Sequence, residues 1–121
     1  MKIYLDDERQ TPEGWTRCFW PNEVIELLKN NKVTHVSLDH DLGDDKRGTG
    51  YDVLTWVEEQ VHTRNYYPPI LSVHSANPAA KKRMVEAIYS IYNAVRINEE
   101  ERLRQSVERD YINTWTDLKN E

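Results

Sequence analysis

Four short apolar runs punctuate the chain, and three of them end alike. Lys2-Ile3-Tyr4-Leu5 runs into Asp6-Asp7-Glu8, and Val33 to Leu38 runs into Asp39-His40-Asp41 before breaking at Gly43. Ile70-Leu71-Ser72-Val73 runs into His74-Ser75-Ala76-Asn77-Pro78. An apolar run that stops abruptly at such residues reads as a buried parallel strand delivering side chains at its carboxyl end. The fourth run, Thr16 to Trp20, is apolar and aromatic enough for a short strand near a sheet edge. In one parallel sheet, the three polar ends would gather at one edge.

Between the strands the apolar spacing becomes helical. Pro21 suits a first helical turn, Val24, Leu27 and Leu28 share a face, and Asn30-Asn31 end the element. Tyr51, Leu54, Val57 and Val61 predict a helix from about Thr49 to about Thr63. Ala79 to about Val95 is a third helix, with Met84, Ile88, Ile91 and Val95 on one face. Glu8 to Trp15, with Pro12 and Gly14, and Gly43 to Gly50 read as loops. Asn98-Glu99-Glu100-Glu101 fits a capping box, which predicts a separate last helix from about Glu99 to about Lys119. Its stripe, Leu103, Val107, Tyr111, Trp115 and Leu118, has to bury one face. The expected cover is the uncovered sheet edge or the same helix of a second copy, with packing on the Met84, Ile88 and Ile91 face of the preceding helix and a contribution to a homodimer; the spacing, mostly fours, holds no strict heptad and disfavours a long coiled coil. The alternation of elements predicts a doubly wound α/β sheet over residues 1–97, with 98–121 as a helical extension on the same domain or at a dimer interface.

A length of 121 residues suits one domain with a real core. The net charge of −5 argues against binding along an extended duplex, which needs clustered Lys and Arg, but leaves room for a small phosphate-bearing ligand held through a cation. A single cysteine rules out a disulfide framework. No apolar run approaches membrane length, and the run at the N-terminus is too short for a signal peptide, so a cytoplasmic protein is expected.

The polar strand ends carry the candidate chemistry. Asp6, Asp7 and Asp39, with Asp41 as an extension, offer the oxygen ligands that Mg²⁺ or Mn²⁺ takes beside a substrate phosphate. Acidic residues after strands are also ordinary turn and cap formers. Ser75 could hydrogen-bond a phosphate oxygen, and His74 could act as general acid or base, against a bland reading of a turn before Pro78 and a half-buried histidine. His40 points away from the face of its neighbours if strand alternation continues, His35 reads as a core histidine, and His62 as exposed. Lys46 and Arg47 could supply charge to a bound phosphate, or belong to a solvated loop. Neither a Ser-His-Asp ordering nor a glycine-rich phosphate loop stands out.

Asp6-Asp7, Asp39 and Ser75-Ala76 fall where receiver domains of two-component signalling carry their acidic pair, phosphoacceptor and Ser/Thr-small pair. Gly50-Tyr51-Asp52-Val53-Leu54 resembles the start of the third receiver helix. Two receiver features are missing: the helix after the acidic pair, and the fifth-strand Lys, for which Asn93 to Ile97 offers only Arg96. The phrases Leu-Asp-Asp-Glu-Arg-x-Thr-Pro, Ser-Leu-Asp-His-Asp-Leu-Gly, Gly-Thr-Gly-Tyr-Asp and Val-His-Ser-Ala-Asn-Pro, with His40, Asp41 and His74, look more like the cyclic-phosphate processing receiver-like domains. That resemblance implies a receiver-like (flavodoxin-like) sheet of order 2-1-3-4, with the fifth strand missing or degenerate and an extra C-terminal helix. It also implies a metal-dependent phosphoesterase acting on an RNA cyclic-phosphate end or a cyclic nucleotide, with Asp6, Asp7, Asp39 and Asp41 on the metal. Asp39, His74 and His40 would do the chemistry, and Ser75, Asn77, Lys46 and Arg47 would hold phosphate. The alternative is a non-enzymatic module that binds a phosphorylated ligand or partner, or accepts phosphate on Asp39.

Overall fold

The computed structural model describes residues 1–30 and 32–119. The expected helix stop at Asn31, and the last two residues of the expected extension, lie outside the described residues. Strands β1 (Lys2–Leu5), β2 (Thr16–Cys18), β3 (His35–Leu38) and β4 (Ile70–Val73) form one parallel sheet in the order β2-β1-β3-β4. Helices α1 (Pro21–Leu28), α2 (Gly50–Arg64) and α3 (Pro78–Lys119) complete the chain, with a short 3-10 turn at Asp45–Arg47. This is the receiver-like strand order expected from the sequence, although the helices do not wind over both faces of the sheet. Two strands are shorter than expected, β2 stopping at Cys18 and β3 starting at His35.

Strand alternation sorts the sheet into two unlike faces. Ile3, Leu5, Cys18, Val36, Leu38 and Leu71 join Val24 and Leu28 of α1, Val53, Leu54, Val57 and Val61 of α2, and Met84, Ile88 and Ile91 of α3 in one core. All three helices therefore bury against the same face. The β1-to-β2 connection runs in the opposite lateral direction from the two helical crossovers, so a right-handed path carries it over the other face. A loop makes that crossing in place of a helix. From its end, Trp15 lies edge-on to Tyr4 and to His35, at ring separations of 6.4 and 6.2 Å. His35, expected in the core, sits on this thinly covered face, half-buried, with Nδ1 2.9 Å from the Thr34 hydroxyl.

The chain does not return to the sheet after β4 among the described residues, so the β4 edge lacks a fifth strand. Such an edge leaves backbone groups unpaired. Helix α3 covers part of it, the Leu71 amide donating to the Tyr92 hydroxyl at 2.8 Å.

The C-terminal helix differs from expectation in its start. The chain is helical without a break from Pro78 to Lys119. Asn98 caps nothing; its amide donates to the Val61 carbonyl of α2 at 2.9 Å. Glu99 and Glu101 pair forward with Arg102 and Arg104. Met84, Ile88 and Ile91 are already buried in the core, so their face is not free to receive the last turns.

Candidate functional site

Asp6, Asp39 and His74 are each the first residue past a strand. The registers of Leu5 with Leu38 and of Leu38 with Val73 set them side by side. Each is pinned by its own amide, which donates to the last carbonyl of a neighbouring strand: Asp6 to Cys18 at 3.1 Å, Asp39 to Leu5 at 3.0 Å and His74 to Leu38 at 2.9 Å. Sheet hydrogen bonds thus fix the three candidate side chains in a row. One ligand atom from each lies within 4.8 Å of the other two.

Asp6 is fully buried, 1 % exposed. Its Oδ1 accepts the amides of Glu8 and Arg9 at 2.8 and 2.9 Å, and its Oδ2 lies 3.0 Å from His74 Nε2. Burial pushes its pKa up, but these hydrogen bonds together outweigh it and hold Asp6 below the usual carboxylate range. Asp39 goes the other way: burial, with the neighbouring Asp6 charge, raises it despite the His40 amide on its Oδ1 at 2.8 Å. Burial lowers the pKa of His74 against the opposing pull of Asp6.

An ionised Asp6 only accepts, so His74 Nε2 carries a proton and donates to it. The other ring nitrogen, Nδ1, lies 2.7 Å from the Ser37 hydroxyl, which donates to it while the ring is neutral. The ring stacks on Tyr4 at 4.1 Å. Ser37, His74 and Asp6 thus form a connected chain that the order of residues in the sequence does not announce. Strand alternation gives a partial signal for it: Tyr4 precedes Asp6, and Ser37 precedes Asp39, by two positions on the same face.

An open cleft of about 440 Å³ is lined by Asp6, Asp7, Glu8, Arg9, Asp39, Asp41, Gly43 and Ala76. Of the expected metal residues, Asp6, Asp7, Asp39 and Asp41 all line it, although Asp41 is largely exposed and lies 2.9 Å from His40 Nδ1. Gly43 allows the approach of Asp7: its φ is +89°, and a Cβ there would lie 3.1 Å from Asp7 Oδ2. The expected phosphate residues are placed less simply. Arg47 stacks on Trp20 at 3.9 Å, and Lys46 is exposed in the 3-10 turn; neither lines the cleft. Ser75 accepts the Asn77 amide at 3.2 Å, and Asn77 Oδ1 accepts the Ala80 amide at 3.1 Å, so both side chains hold the first turn of α3. The single cation on the cleft lining is Arg9, which the sequence reading passed over. Its guanidinium donates to the His74 carbonyl at 2.6 Å, lies 3.9 Å from Asp6 Oδ2, and remains 46 % exposed.

A parallel sheet of this order, with acidic groups at the carboxyl ends of β1 and β3, defines a receiver-like domain. The profile of the cyclic-phosphate processing receiver domain matches residues 1–90, and the chain belongs to that family. No curated protein and no solved structure matches it.

The donor set fits a hard divalent cation. Asp6, Asp7 and Asp39 supply carboxylate oxygens, and burial and the Asp6 charge already disfavour ionised Asp39. No helix is long and apolar enough to cross a membrane among the described residues.

Proposed function

We propose that the chain is a divalent-metal-dependent phosphoesterase acting on a cyclic phosphate, either a 2′,3′-cyclic phosphate at an RNA end or a cyclic nucleotide. The observation that carries this reading is the convergence of Asp6, Asp39 and His74 within 4.8 Å in a cleft that Asp7 also lines. Asp6, Asp7 and Asp39 would hold Mg²⁺ or Mn²⁺, with Asp41 at the margin. The bound cation supplies charge that polarises a phosphoryl oxygen and lowers the pKa of water. His74 orients Asp6, since both of its ring nitrogens are engaged in the resting protein. His40 does not itself line the cleft, but Asp41, which does, holds its Nδ1, so its Nε2 would be the group to exchange a proton with a leaving oxygen at that margin. Arg9 faces the phosphate, in the role the sequence suggested for Lys46 and Arg47.

A second reading has its own support. Asp39 Oδ1 is held by the His40 amide, while among the described residues Oδ2 accepts no hydrogen bond, as a phosphoacceptor or a phosphate-binding module requires. Turnover of 2′,3′-cyclic nucleotides with and without Mg²⁺ separates the two. Metal-dependent product that falls in Arg9→Ala, with cation affinity kept, supports the esterase. Binding without product supports the module. A phosphorylated protein that disappears in Asp39→Asn would assign Asp39 as nucleophile or acceptor.

A further inference from the structure

The last five turns of α3 carry a second, unpartnered surface. Leu103, Val107, Tyr111, Trp115 and Leu118 are between 50 and 67 % exposed. At 3.6 residues per turn they share one stripe, directed about 160° away from the side on which Ala80, Met84, Ala87, Ile91 and Ala94 enter the core. The stripe therefore faces away from the chain's own sheet. Among the described residues the last hydrogen bond to the body is Asn98 on Val61, Arg102 still lines a small cavity with Asn65, Tyr66 and Tyr67, and the segment beyond Asn98 extends about 30 Å. A helix in a protein takes most of its stability from packing an apolar face, and this stretch has none packed on the chain's own body.

We infer that this stripe pairs with the same stripe of a second copy, the two helices running antiparallel. Three observations select that occupant. The first is area. The five side chains expose on the order of 500 Å², and with the stems of flanking charged residues the buried surface approaches the roughly 800 Å² per partner of a standard interface. The second is shape. With Tyr111 on the two-fold axis, the small Val107 meets the large Trp115 of the other copy, and Leu103 meets the end bearing Leu118. The third is charge. A parallel pair sets Glu99, Glu100 and Glu101 beside their own copies. An antiparallel pair instead brings Lys119 within one turn of that acidic cluster, and Asp117 within one turn of Arg102 and Arg104.

The chain's single cysteine, Cys18, is buried, so introduced thiols report cleanly. Sedimentation of the full chain should show a monomer–dimer equilibrium. Trp115→Glu should raise the dimer dissociation constant by about thirtyfold or more, the loss expected of a central aromatic anchor, with helicity unchanged. Under mild oxidation Tyr111→Cys should give a covalent dimer and Leu103→Cys should not. A full chain that sediments as a monomer up to a concentration of about 100 μM, well above the micromolar range of a standard-size interface, overturns the inference. Equal cross-linking of the two cysteine variants overturns the antiparallel arrangement.

Discussion

At the residue scale, the site is a set of groups whose environments pull them apart. Asp6 is stabilised as an anion by two amides and His74, while Asp39 beside it resists ionising. Without metal, Asp39→Asn should therefore raise the melting midpoint at neutral pH, because it removes a charge that burial and Asp6 disfavour. If the carboxylates share a cation, added Mg²⁺ stabilises the parent by about 2.7 kcal/mol at a hundredfold excess over the dissociation constant. Asp39→Asn should lose that gain. Identical parent midpoints in chelator and in millimolar Mg²⁺ would count against a metal site. The pH dependence follows from the directions of the shifts. The depressed pKa of Asp6 gives stability that is present above its unfolded value of about 3.9 and lost as pH falls through the folded one. The raised pKa of Asp39 works in reverse: stability declines as pH rises through its folded value. Lowered His74 takes its proton first in the unfolded chain, so stability is full above about pH 6.5 and falls as pH drops toward the folded value. The drop in metal-free melting midpoint from pH 7.5 to 5.5 should accordingly be smaller in His74→Asn than in the parent. An equal drop in both would remove His74 as its cause.

At the element scale, the strand ends explain what could be read in advance. Asp6, Asp39 and His74 follow apolar runs directly, and parallel register then places them together; only the local pattern and the sheet order were needed. Gly50 shows how a helix start secures the same edge. Its amide donates to the His40 carbonyl at 3.1 Å, and a Cβ there would overlap the Asp39 carbonyl. Gly50→Ala should cost about 1–3 kcal/mol, the range for overpacking a filled site, and should weaken Mg²⁺ binding by displacing Asp39. A denaturant melt and a metal titration check the two effects; a variant as stable as the parent would show that the contact relaxes freely. Other features were not legible because they depend on which elements meet. Alternation placed Ser37 on the face of Asp39 but could not say that His74 would cross from β4 to reach it. Arg9 lay in an acidic run as one charge among several, and only the fold of the 6–15 loop sets it on the cleft. The break expected at Asn98 rested on a local capping pattern, and the same residues serve a continuing helix once Asn98 finds the Val61 carbonyl.

At the scale of the whole molecule, the chain divides into parts with different physical standing. The family match ends at residue 90, the buried core ends at Ala94, and Asn98 makes the last tie to α2. Past Arg102, which still lines a cavity with Asn65, Tyr66 and Tyr67, the helix is held by its own hydrogen bonds, and the i,i+3 ion pairs of Glu99 with Arg102 and Glu101 with Arg104 contribute only a few tenths of a kcal/mol each. The folded domain should thus owe little stability to residues 103–119. Truncation after Arg102 keeps Asn98 on Val61 and removes the whole stripe from Leu103 to Leu118. At the lowest concentration that gives a signal, where self-association contributes least, its melting midpoint should stay within about 3 °C of the full chain, as for surface changes that touch no core contact. The Mg²⁺-dependent gain should also survive, since Asp6, Asp7 and Asp39 lie on the far side of the core contacts from the cut. A fall of more than about 8 °C, equivalent to losing a kcal/mol or more in a domain of this size, would mean that the last turns fold onto the domain in solution. That outcome would restore the packed extension expected from the sequence and remove the stripe as a free surface.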